Sequence, residues 1–221
     1  MRNVYHDELS GLVDTLVEMT QLAESAMTRA TTALLDTDRE LAETVISADR
    51  RIDDLQRDLE DRAVGVLARQ SPVATDLRVV VTALRMSSSL ERMGDLARHV
   101  AKLARLRYPD PVVPAELRAT VLEMGQVAER IVAKAGSVIA SRDLALAAEM
   151  ELDDDQMDAL HRQVFEQVLG RTWDHPTEVA VDLTLCSRYY ERFADHAVSV
   201  AKSVLFLVTG SRDEDVAAQH F

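Results

Sequence analysis

Glu91-Arg-Met-Gly-Asp95 recurs 100 residues later as Glu191-Arg-Phe-Ala-Asp195. The continuations match as well. Ala97, Val100, Ala101 and Lys102 return as Ala197, Val200, Ala201 and Lys202, so seven of the twelve positions from 91 to 102 are identical in the second copy. That is more identity than two unrelated helical stretches of ordinary composition share. Each copy sets an acid at i and another at i+4, which puts both carboxylates on one face of a helix. Two like charges there repel unless something positive stands beside them. A multivalent cation meets that need, and so do arginines.

Outward from this stretch, a second pair of matched segments appears. At an offset of 105, Asp38, Leu41, Ala42, Asp49, Asp53, Leu55 and Arg57 return as Asp143, Leu146, Ala147, Asp154, Asp158, Leu160 and Arg162. Two helices in each half therefore carry matched acids, and the chain reads as a duplication.

The helices follow from apolar periodicity. Leu9, Leu12, Leu16, Met19, Ala23, Met27 and Leu34 mark a first helix over 8–35. Thr37 with Glu40 is a capping-box pattern, and Asp38 is a second candidate cap for a helix running to about 69. Ser71-Pro72 predicts a helix start, with the third helix ending near 107. Tyr108-Pro-Asp-Pro-Val-Val-Pro114 cannot continue a helix and divides the chain into 1–108 and 109–221. The second half predicts helices over about 115–140, from Ser141 or Asp143 to before Gly170, and from Pro176 to about 208, closed by Gly210. The tail from Ser211 is expected to fray. The expected architecture is all-α: six long helices in two pseudo-symmetric antiparallel three-helix bundles.

Register can be predicted too. With a turn near 71, antiparallel positions summing to about 142 lie level, so Asp49 faces about 93 and Asp53 about 89. In the second half the sum is about 347, which brings Asp154 and Asp158 beside Glu191 and Asp195. Each set of four should edge one groove. Four carboxylates are hard-oxygen ligands suited to Fe, Mn or Mg, and less to Zn without thiols. The alternative is that Arg50, Arg51, Arg92 and Arg192 pair with the acids in surface ion pairs, which contribute little. His161 and His196 are candidate nitrogen ligands in the second half, and His99 lies one turn beyond Asp95.

Composition excludes other classes. A net charge of −13 leaves no basic face for a bulk nucleic-acid binder. The one cysteine, Cys186, cannot form an intrachain disulfide and suits a reducing cytoplasm. It falls on the apolar stripe of Tyr190 and Phe193, so it is expected in the core. No run of 18 apolar residues marks a membrane span. No nucleophile with its base, glycine-rich phosphate loop or nucleotide fingerprint is present.

Gln70-Ser-Pro-Val-Ala-Thr-Asp-Leu-Arg78, Leu90-Glu-Arg-Met-Gly-Asp95 and Glu191-Arg-Phe-Ala-Asp195-His196 together resemble the signature of the PhoU family of phosphate-uptake regulators. The resemblance spans about 8–208. It implies two pseudo-symmetric three-helix bundles. It also implies divalent or ferric metal ions held by Asp49, Asp53, Glu91 and Asp95 in the first half and Asp154, Asp158, Glu191 and Asp195 in the second, with no organic cofactor. The implied role is that of a cytoplasmic negative regulator linking the phosphate ABC transporter ATPase to its sensor histidine kinase. Membrane contact would come only through those partners, and a homodimer is compatible with the reading. The second copy departs from the family pattern, with Phe-Ala for Ile-Gly and no Asp-Leu-Arg run after Pro176, which ranks the first cluster as the stronger expected metal site. The competing class is a carboxylate-bridged di-metal bundle enzyme or metal store. That class needs Glu-x-x-His on two helices, and Asp158-Ala-Leu-His161 is the nearest approach.

Overall fold

The computed structural model describes residues 2–211, with side chains from 5 onward. The helices are α1 Arg2–Asp36, α2 Arg39–Ala48, α3 Arg50–Gln70, α4 Ala74–Arg107, α5 Arg118–Ser141, α6 Leu144–Val168 and α7 Thr177–Thr209, with a 3-10 turn at Ala115–Leu117 before α5. No strand occurs among the described residues. The second expected helix is α2 plus α3. Asp49 interrupts it while keeping right-handed helical angles, and the Ile52 N–H bonds the Asp49 carbonyl three residues back at 2.9 Å. The rod is continuous through one tightened turn. The six expected helices are therefore all present. The expected frayed tail, Ser211 itself apart, lies outside the described residues.

The ends obey local chemistry. Asp38, not Thr37, caps α2 and accepts from the Leu41 N–H at 2.9 Å. Thr37 instead has φ 55° at the close of α1. Asp143 caps α6, accepting from the Ala145 and Leu146 N–H groups at 2.9 and 3.2 Å. Gly210 closes α7 at φ +77°, where a side chain would be strained. Two expected starts move. Ser71 is the left-handed C-cap of α3, so Pro72 lies between helices and α4 opens at Ala74. Pro176 precedes α7 as its N-cap.

Helices α1, α4, α5 and α7 pack as a central set of four: α1 against α4 and α5, and α7 against α4 and α5. The α2–α3 rod lies on α1 and α4, and α6 lies on α5 and α7. The α1–α5 contact is close because glycine permits it. A Cβ on Gly125 would sit 2.6 Å from Thr31 Cγ2. Thr31 Oγ1 and the Tyr190 hydroxyl share a buried 2.7 Å hydrogen bond, which satisfies the polar end of a fully buried tyrosine. Helices α4 and α7 run antiparallel, joined by the Arg107–Asp182 ion pair and by His99 stacked on Tyr189 at 5.2 Å. Within the proline segment Val112 and Val113 are buried, and one hydrophobic core runs through both halves.

Candidate metal centres

The long antiparallel helices bring the acids together at the predicted level. A Cβ on Gly94 would lie 2.8 Å from Ile52 Cδ1 and 3.3 Å from Asp49 Oδ1. Glycine at this position lets the tightened turn at Asp49 approach α4. Asp49 therefore faces position 94, as the register argument placed it. In the second half His161 Nδ1 is 3.0 Å from Ser187 Oγ, a position sum of 348.

In the first cluster Asp49 is buried, with 5% of its side chain exposed. Arg98, one turn beyond Asp95, points its guanidinium between the carboxylates. Its Nη1 is 3.0 Å from Asp49 Oδ2, and its Nη2 donates to Asp95 Oδ1. The Asp49 contact is an ion pair without hydrogen-bond geometry, and Arg98 Nε is also buried without a hydrogen-bond partner. Arg92 adds a second cation, donating to Asp95 Oδ2 at 3.0 Å and standing 3.7 Å from Glu91 Oε2. Burial pushes the Asp49 carboxyl up. Arg98 opposes that, while Asp53 and Asp95 add to it. Burial, then Asp95, raises Glu91. All four predicted acids thus act on one another.

The second cluster has the same acids and different cations. Burial, then Asp195 and Asp158, pushes the Asp154 carboxyl up to about 6. Burial and Asp195 likewise raise Glu191. Arg188 donates to Glu191 Oε1, while Oε2 is buried with no hydrogen-bond partner. Arg192 Nε is 3.9 Å from Asp195 Oδ2, with both side chains 47% exposed. Val198 occupies the place of Arg98 and packs on the core.

The histidines divide. Ser187 donates its proton to the Thr184 carbonyl at 3.1 Å, so its oxygen accepts from His161 Nδ1–H and leaves Nε2 as the basic nitrogen. Burial lowers His161, His196 and His99 alike. The His99 ring stacks on Tyr189 of α7. Cys186 is fully buried, as expected, and burial pushes its thiol up to about 12. It is no nucleophile at neutral pH.

Among the described residues, no group of three or more His, Cys, Asp or Glu side chains is arranged to hold a metal ion as the side chains stand. The two clusters nevertheless differ in fit. Each cluster holds a buried carboxylate oxygen without a hydrogen-bond partner, Asp49 Oδ2 in the first and Glu191 Oε2 in the second; Glu191 Oε2, with Asp195 and Asp158 acting on its carboxyl, suits a hard cation. A guanidinium already lodged between Asp49 and Asp95 does not.

Sequence reasoning missed Arg98, Arg188 and Asp153. Asp153 is buried on α6 and held by Arg130 at 2.8 Å and Lys134 at 2.9 Å from α5. It has no acid counterpart at the repeat offset, where Ala48 stands, so the repeat gave no sign of it. The mismatch of Arg98 with Val198 inside a matched repeat was the available signal for Arg98.

The PhoU domain model matches residues 16–104 and 121–204. The phosphate-specific transport system accessory protein PhoU homolog 2 of Mycobacterium tuberculosis is 48% identical over 96% of this chain and 99% of its own length. PhoU homolog 1 of Mycobacterium leprae is 48% identical, with 97% of each chain covered. Among solved structures, PhoU from Pseudomonas aeruginosa superposes with a TM-score of 0.85 at 27% identity, covering 94% of this chain and 100% of that one. The phosphate transport system regulatory protein PhoU from Streptococcus pneumoniae shares the fold, with a TM-score of 0.85 and 94% and 98% coverage.

Proposed function

The chain belongs to the PhoU family of phosphate-transport regulators, and from that premise we propose that it is a non-catalytic cytoplasmic adaptor. In this role it restrains phosphate uptake and phosphate-starvation signalling by coupling the phosphate ABC transporter ATPase to a sensor histidine kinase. The observation that carries the proposal is the end-to-end likeness to transport accessory proteins, with both halves matched. The physical case agrees with it. No helix among the described residues is long and apolar enough to cross a membrane. The only cysteine is buried and inert. Long helices carrying a net charge of −13 form a firm surface that basic patches on a partner can recognise and be steered toward.

A hard divalent or ferric cation at Asp154, Asp158, Glu191 and Asp195 is part of the proposal. When bound it would supply positive charge between carboxylates that otherwise repel, and so hold α6 to α7. His161, its Nδ1 held by Ser187, stands one turn from Asp158 as a candidate nitrogen ligand.

Deleting the gene tests the role. Phosphate-scavenging genes should switch on in phosphate-rich medium, and the wild-type gene should restore repression. Unchanged repression in a strain with no second copy would defeat the proposal. Purified chain should also capture the transporter ATPase and the kinase. Capture should slow as salt shortens the Debye length below about 8 Å.

A further inference from the structure

Arg98 and Val198 occupy equivalent positions beside two clusters whose four acids match, Asp49, Asp53, Glu91 and Asp95 against Asp154, Asp158, Glu191 and Asp195. We infer that Arg98 is a built-in counter-cation that closes the first acid cluster to metal ions, so that cation binding by this chain is confined to Asp154, Asp158, Glu191 and Asp195. The confinement rests on the cation proposed for the second cluster. The closure of the first does not.

Both nitrogens of the Arg98 fork are committed, Nη1 to Asp49 and Nη2 to Asp95. These two acids come from different helices, so the guanidinium spans the groove where an ion shared by α3 and α4 would sit. Its side chain is 29% exposed, against 62% for Arg92. An incoming ion must therefore expel a largely covered group, not push aside a surface one. The acids it holds are covered as well, Asp49 at 5% and Asp95 at 17% exposure. In the second copy Asp195 is 47% exposed. Its arginine neighbours are the more exposed ones and neither bridges the two helices: Arg188 donates to Glu191 Oε1 of its own helix, and Arg192 Nε stands 3.9 Å from Asp195 Oδ2. Lys102 and Lys202 stand at the same place in both copies, so they do not set the difference.

The test is Mn²⁺ binding by full-length chain, stripped with chelator and then titrated, with bound ion counted by metal analysis. Paired changes Asp158→Asn with Glu191→Gln should weaken the binding seen in wild type by at least about tenfold. Asp53→Asn with Glu91→Gln should leave that binding unchanged. Arg98→Val, which copies the second half, should add bound Mn²⁺ that Asp53→Asn removes again. Val198→Arg should abolish binding at the second cluster. Loss of wild-type Mn²⁺ on changing Asp53 and Glu91 would overturn the inference, and so would an Arg98→Val chain that binds no more than wild type. If wild type binds nothing but Arg98→Val does, the closure stands and the cation reading of the second cluster falls. Should Arg98→Val fail to fold, the Asp53/Glu91 pair in the wild-type background decides alone.

Discussion

The two acid clusters are copies that solve one electrostatic problem in two ways. In the first, a covalently attached guanidinium sits between Asp49 and Asp95, and the turn of helix beneath it is tightened at Asp49. In the second, α6 runs unbroken from Leu144 to Val168, Val198 replaces the arginine, and Asp154 is driven to about 6. The lesson is that an acid repeat does not specify what neutralises it. The cations differ where the acids match: Arg98 corresponds to Val198, and Ser88 to Arg188.

The largest expected effect tests the internal cation. Arg98→Ala leaves Asp49 buried and unpaired, so unfolding in denaturant with chelator present should show a loss of about 3 kcal/mol. Its nearest counterpart, Arg188→Ala, removes a half-exposed arginine from Glu191 and should cost about 1 kcal/mol. Equal losses would erase the contrast between the halves. Next comes protection by metal. At a hundredfold excess over its dissociation constant, Mn²⁺ should stabilise the wild type by about 2.7 kcal/mol. Glu191→Gln should remove that gain and Glu91→Gln should keep it, as read from thermal unfolding. The gain should fade below about pH 6, because Asp154 must be ionised to bind and its carboxyl titrates there.

Asp154 supplies a smaller, metal-free test. Its carboxyl titrates near 6 when folded and near the ordinary 3.8 when unfolded. The folded chain therefore holds the proton more tightly, and stability declines as pH rises through that window. Asp154→Asn should raise stability at pH 8 by about 1 kcal/mol, discounted for partial exposure, and change nothing near pH 3.5. A loss at pH 8 would mean that an unseen partner already compensates Asp154. The smallest effects separate the outer arginines. Arg92→Ala, which frees two acids, should cost about 1 kcal/mol, and Arg192→Ala less than about 0.5.

Much of this was legible in the chain. Helical periodicity and the proline segment located six rods, and counting residues across each turn placed Asp49 opposite about 93, where Gly94 stands, and Asp154 and Asp158 beside Glu191 and Asp195, which act on them. Those inferences worked because antiparallel helices joined by short turns leave little freedom of register. The start of α4 was misplaced because Ser71-Pro72 satisfies a start rule, while Ser71 adopts the left-handed conformation that ends α3. Arg98 escaped notice because arginines one turn from an acid are common, and nothing in spacing says which will turn inward. The departures in the second copy suggested that the first cluster was the better metal site. The charge arrangement argues the reverse, since a Phe-for-Ile change in the core matters less to a cation than an arginine in the groove.

The buried hydrogen bond between Thr31 and Tyr190 joins residues 159 positions apart. Its consequence lies in the time of synthesis. At about 5–20 residues per second, roughly ten to thirty seconds separate the appearance of the two partners from the ribosome. Until α5 emerges, the face of α1 that carries Thr20 and Thr31 has no native partner, and the Thr31 hydroxyl waits longer still for Tyr190. The protein is built from two similar halves, yet the earlier half finishes only when the last helix arrives.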